Sequence, residues 1–166
     1  MRTTLVFAGL VLALGVPNAL VVHKEHVLAE GTPMLLQLAP VDPRSLIQGD
    51  YIRLTYAMTR DLVDSVQHWP PTGEIVVVLD EHGVARYVRR HASSALVGAS
   101  EHLLVYRVRR GRIRVGTDAF HFQEGQARTY AGARYGELRV APSGTSVLVG
   151  LRDAEWRPLG RRSIEP

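Results

Sequence analysis

Two polar constellations in this 166-residue chain could do chemistry. The first is Gly49-Asp50-Tyr51 with Arg53 two residues on, followed at a distance by Glu124. Two carboxylates, a phenol and a guanidinium converging at a strand mouth could bind a small ligand or move a proton during hydrolysis. The plainer reading makes Asp50 a turn cap and gives Glu124, Tyr130 and Tyr135 helix-capping and packing roles. The second constellation is arginine-rich. With Arg110-Gly111 as a two-residue hairpin loop, Arg109 faces Arg112 and Arg107 faces Arg114, all on one side. Like charges set opposite each other weaken a ladder, so water, counter-ions and nearby carboxylates must relieve them, or lipid phosphates or an acidic partner must.

Other chemistries lack their parts. Ser45 lies ahead of Gly49-Asp50, but a serine nucleophile of that kind needs a lysine base. The one lysine, Lys24, falls at the edge of the apolar leader, and no Gly-x-Ser-x-Gly elbow is present. Seven histidines are scattered along the chain. His23 and His26 flank Glu25 without a His-Glu-x-x-His pattern, and His121 with Glu124 could meet only at a strand end. With no cysteine, thiolate metal sites and disulfides are excluded. No metal and no cofactor is expected.

Asp42-Pro43 favours a turn after the apolar run Met34 to Ala39. Gly49-Asp50 then makes the corner that opens a strand over Tyr51 to Met58. Tyr51, Arg53 and Thr55 fall on one face, and Ile52, Leu54 and Tyr56 on the other. Gly49, Asp50, Tyr51, Leu54 and Tyr56 fill all five fixed positions of the octapeptide G-D-Y-x-x-L-x-Y. The lead-in Pro40 to Leu46 and the stretch Phe122 to Ala127 with Arg134 to Glu137 are also of the family's kind. The chain therefore resembles the GDYXXLXY family of bacterial membrane-anchored proteins over nearly its whole length. The resemblance implies an anchored domain outside the cytoplasm, often encoded beside a multi-pass membrane protein, and it implies no activity.

The leader fits an anchor. Leu5 to Val22 carries no charge and as a helix would be about 27 Å long, close to the hydrocarbon thickness of a bilayer. Residues 1–26 are read as a retained signal-anchor with its juxtamembrane segment. Cleavage after Gly15 and burial as a core helix are the alternatives. Arg2 and the terminal amine favour keeping the short end inside, against Lys24 on the far side, which puts the body in the periplasm at the inner membrane.

The remainder is sized for one domain, read as residues 27–160, with an exposed tail at 161–166. Further strands are expected over Glu74 to Leu79, Val84 to Arg89, Leu103 to Arg109, Arg112 to Gly116, Glu137 to Val140 and Val147 to Leu151. Turns fall at Gly83, at Arg110-Gly111 and over Pro142 to Thr145. Two short helices are expected, one capped by Thr59 and one over Glu124 to Ala133. The fold class is mainly β (α+β), an antiparallel β-barrel or two-layer sandwich behind one transmembrane helix. The functional expectation is a non-enzymatic accessory protein that partners the bilayer and an integral membrane protein, and not nucleic acid. The alternative is a ligand-binding or hydrolytic cleft around Asp50 and Glu124.

Overall fold

The structure is a computed structural model that describes residues 2–40, 47–48, 51–62, 68–92 and 95–160. Of residues 2–9, 11, 12, 20, 23, 47 and 48 it describes the backbone alone. Gly49, Asp50, Ser45 and the tail 161–166 lie outside the described residues, and so do residues 63–67, which follow the expected cap Thr59.

The chain opens with α1 (Arg2–Glu30), a continuous helix that carries Pro17 inside it. Leu10, Leu14, Val16, Val21 and Val22 are all more than half exposed. Among its described side chains, α1 meets the body toward its end, where Val27 is 1% exposed. Gly31 then donates its N–H back to Val27 O at 2.9 Å, and Nη1 of Arg139 donates to Gly31 O at 3.1 Å. Among the described residues no helix is long and apolar enough to cross a membrane, a statement that does not extend to strands.

Beyond the helix the body is β-rich and antiparallel, built mainly of two curled sheets. The first has the order β1-β9-β10-β11, from β1 (Thr32–Gln37), β9 (Tyr135–Val140), β10 (Ser146–Arg152) and β11 (Pro158–Leu159). The second has the order β5-β4-β6-β7, from β4 (Thr72–Leu79), β5 (Ala85–Arg90), β6 (Glu101–Arg109) and β7 (Arg112–Val115). A small sheet of β2 (Ile47–Gln48), β3 (Tyr51–Arg53) and β8 (Ala119–His121) accompanies them. Backbone bonds tie the sheets together: Leu35 N–H to Gly83 O at 2.9 Å, Ala39 N–H to Thr55 O at 2.7 Å, and Val105 N–H to Gly144 O at 2.9 Å. One core gathers Met34 and Leu36 of β1, Ile75 and Leu104 of the second sheet, and Ile52 and Phe120 of the third. Burying such side chains against one another is what a chain of this length relies on for stability.

The hairpins follow their turn residues. Gly83 takes φ +75 between β4 and β5, and Gly144 takes φ +79 between β9 and β10. At the tip of β6 and β7 both loop residues are left-handed, Arg110 at φ 52 and Gly111 at φ 69, the signature of a type I′ turn. Three expectations need correction. The strand expected over Tyr51 to Met58 ends at Arg53, and helix α2 (Ala57–Asp61) begins before Met58. Thr59 is not its N-cap but a buried residue within it. Its N–H and its hydroxyl both donate to Tyr56 O, at 3.1 and 2.8 Å, and that bends the chain into the helix straight after Tyr56. The helix expected over Glu124 to Ala133 shrinks to α3 (Ala127–Tyr130), because Gly125 sits at φ +82 in a turn that a right-handed helix excludes.

Candidate functional site

The signature segment is half core and half surface. From Tyr51 to Tyr56, exposure alternates residue by residue: Ile52, Leu54 and Tyr56 are buried, Arg53 and Thr55 exposed, and Tyr51 half-buried. The period-two pattern thus continues past the last strand residue, as Leu54 N–H donates to Asp118 O at 2.8 Å and Tyr56 bridges to Leu38. Tyr56 donates its hydroxyl to Thr117 O at 3.3 Å. Burial, reinforced by the Asp118 carboxylate, raises its pKa well above the ordinary phenol value. A phenol held neutral in this way is a packing group with a polar tip rather than a base.

Of the sequence-derived cleft residues, Gly49 and Asp50 lie outside the described residues, and the others are placed one by one. Arg53 stands exposed opposite Ala119. Tyr51 lies beside His121, with ring centroids 5.6 Å apart and tilted by 39°. Glu124 is exposed in the turn before α3. Tyr130 is core, wedged between Phe120 and Phe122 at 5.1 and 5.3 Å. Tyr135 runs nearly parallel to Trp156 at 6.4 Å.

The arginine hairpin, in contrast, has the expected register. Arg109 pairs with Arg112, Arg107 with Arg114, Val108 with Ile113 and Tyr106 with Val115. Tyr106, Ile113 and Val115 are buried, which turns the four guanidinium groups outward. Arg107, Arg109 and Arg114 line a groove of about 410 Å³ together with Asp118, Thr145 and Ser146. Arg114 forms an ion pair with Asp118. Arg107, Arg109 and Arg112 form no ion pair among the described residues. Three guanidinium groups against one carboxylate leave a strongly cationic, donor-rich groove that also holds two hydroxyls.

Asp118, Thr145 and Ser146 are the residues that sequence reasoning missed. Asp118 returns to Arg114 because Gly116, at φ +59, reverses the chain at the end of β7. Thr145 and Ser146 arrive from the other sheet, through the turn in which Gly144 packs on β6. A Cβ on Gly144 would lie 3.1 Å from Val105 N.

The family model of the GDYXXLXY protein matches residues 13–151. The chain belongs to the GDYXXLXY family. No curated protein and no solved structure matches it. Of the five residues that spell the family motif, the described ones divide by role: Leu54 and Tyr56 are core, and Tyr51 is half-buried on β3, the central strand of the small sheet. The arginine groove lies outside that motif but within the residues matched to the family.

Proposed function

We propose that this GDYXXLXY protein is an anchored accessory protein. On this reading α1 holds the chain in the bacterial inner membrane, and the β-rich body, a half-open barrel or sandwich, faces the periplasm and contacts an integral membrane protein. One observation carries it: Leu10, Leu14, Val16, Val21 and Val22 of α1 stand bare, while Val27 near the end of the helix packs on the body. Apolar residues occur on every side of α1, and a helix apolar all round belongs in a protein core or in lipid. The body does not supply the core.

A surface for a protein partner is available as well. Val88 on the edge strand β5 is 43% exposed and Leu96 in the next loop is 93% exposed. Arg89 holds that loop beside β5 by donating from Nη2 to Leu96 O at 3.4 Å. A hydrolytic or ligand-binding cleft is the weaker reading, because Arg53 and Glu124 both stand exposed to solvent.

The test is fractionation of the full chain expressed in a bacterial host. Anchoring predicts that it stays in the membrane pellet through alkaline carbonate washing. The periplasmic orientation predicts that protease added to intact spheroplasts digests the body. Release by carbonate would end the anchoring reading, and a protected body would end the orientation.

A further inference from the structure

We propose that the groove formed by Arg107, Arg109, Arg114, Thr145 and Ser146 holds the phosphate of a lipid headgroup from the same bilayer that receives α1. The inference rests on the anchoring reading above. Its chemistry starts from the hairpin's own imbalance. Cross-strand register forces Arg107 against Arg114 and Arg109 against Arg112, an arrangement that destabilises a ladder unless an anion intervenes. Asp118 takes only Arg114. Arg107 and Arg109 present planar, donor-only forks to the groove, and Thr145 and Ser146 line it with hydroxyl donors. Forked N–H groups with hydroxyls beside them are the donor set that matches tetrahedral phosphate oxygens.

Position names the source of that phosphate. Thr32, the first residue of β1, pairs with Val140 of β9, and Val140 pairs with Ser146 of β10. Ser146 therefore lies two strand spacings, about 10 Å, from the residue that follows α1 and Gly31. The helix adds about 12 Å between Val22, the last residue of its apolar run, and Glu30. The polar zone of a bilayer is about 5–8 Å deep on each side. With the apolar run in hydrocarbon, the body begins about 4–7 Å beyond the headgroups, and the groove opens about 10 Å from that start. Lys24, exposed on α1, lies within that zone. Arg107 and Arg109 are exposed, so they hold a free anion weakly against solvent and salt. A headgroup tethered in the adjoining leaflet is present at high effective concentration and does not need a closed pocket.

The experiment uses the full chain in a neutral maltoside detergent. Dioleoyl phosphatidylglycerol or dioleoylglycerol is titrated in, and retained adducts are counted by native mass spectrometry. The expected result is retention of the phosphatidylglycerol and not of the phosphate-free lipid, with millimolar inorganic phosphate competing. Arg107→Gln with Arg109→Gln is expected to weaken retention by about tenfold. Asp118→Asn, which releases Arg114 to the groove, is expected to strengthen it severalfold. All three positions are exposed, and an unchanged melting temperature in the same sample shows the variants to be folded.

Equal retention by wild type and the double Gln variant overturns the proposal. Binding of inorganic phosphate without preferential retention of the lipid overturns the lipid source. Anchoring is read separately by carbonate extraction. A wild-type chain that washes off the membrane removes the anchor, whereas one that stays embedded but shows no arginine-dependent adduct removes only the groove's assignment.

Discussion

Glu137 and Arg152 lie on the neighbouring strands β9 and β10 and meet through Oε2 and Nε at 2.9 Å, with Glu137 only 5% exposed. Arg152 also donates from Nη1 to Trp156 O at 2.7 Å. The pair therefore fixes the loop between β10 and β11, where Trp156 takes φ 58 and stacks on His82 at 3.8 Å.

Breaking a buried pair from one side strands the remaining charge. Glu137→Ala is expected to lower unfolding stability by about 3 kcal/mol, while replacing both residues with leucine costs far less. Denaturant titration of the full chain in detergent, followed by tryptophan fluorescence, measures both. A single variant as stable as wild type would show the pair to be incidental.

The family octapeptide is expected to divide into structural and replaceable positions. Leu54 is 4% exposed in the core, so Leu54→Ala should cost about 2–5 kcal/mol. Tyr56→Phe deletes only the hydroxyl bond to Thr117 O and should cost about 1 kcal/mol. Arg53→Ala, on the exposed face, should leave the melting temperature within a degree or two. A large loss of stability from Arg53→Ala would point to a contact that the exposed face does not suggest.

How much of this could be read from residues alone depended on how local each cause was. The hairpin at Arg110-Gly111 was legible to the exact register, because a two-residue loop fixes every pairing behind it. The faces of Tyr51 to Tyr56 were legible because alternation is a property of the strand itself. The end of that strand was not, since Thr59 curls the chain through its bonds to Tyr56 O, and a threonine there reads equally well as a cap. Nor were β8 and β11 anticipated, as each is only two or three residues long and is held by a distant partner. The groove was half legible. Its arginines follow from the hairpin, but Thr145 and Ser146 enter through the packing of one sheet's turn on the other sheet. The contact between His121 and Tyr51 was not legible either, because it is set by the pairing of β3 with the distant β8.

Acid should loosen the second sheet's far end first. Arg89 holds Glu101 in a two-pronged ion pair and Gly98 N–H donates to the same carboxylate, which together take its pKa down to about 2. Asp80 is also lowered: burial opposes its ionisation, but the N–H groups of Val84 and His82 and the Arg86 guanidinium outweigh that. A carboxylate whose folded pKa is depressed contributes stability that is complete above its unfolded pKa and is lost as pH falls toward the folded value. For Glu101 that window runs from its ordinary value of 4.5 down to about 2. Glu101→Gln should thus be less stable than wild type at pH 7 and converge with it near pH 2. Melting curves across that range give the answer, and a constant difference at every pH would refute the linkage.

The junction between α1 and the body rests on one glycine. A Cβ on Gly31 would sit 2.3 Å from Val27 O and 3.0 Å from Val140 N, both backbone atoms that cannot rotate away. Gly31→Ala must therefore push the end of α1 off β9, straining the Gly31 N–H bond to Val27 O and the reach of Arg139 to Gly31 O. Overpacking of this kind costs about 1–3 kcal/mol. Gly132→Ala is the control, because nothing lies within 4 Å of the added methyl and its backbone is not left-handed. Hydrogen exchange on the full chain in detergent should show faster exchange of the amides of Gly31 and Val140 in Gly31→Ala and no change in Gly132→Ala. If both variants exchange like wild type, the helix is not seated on β9 through Gly31, and the placement of the groove relative to α1 loses its footing.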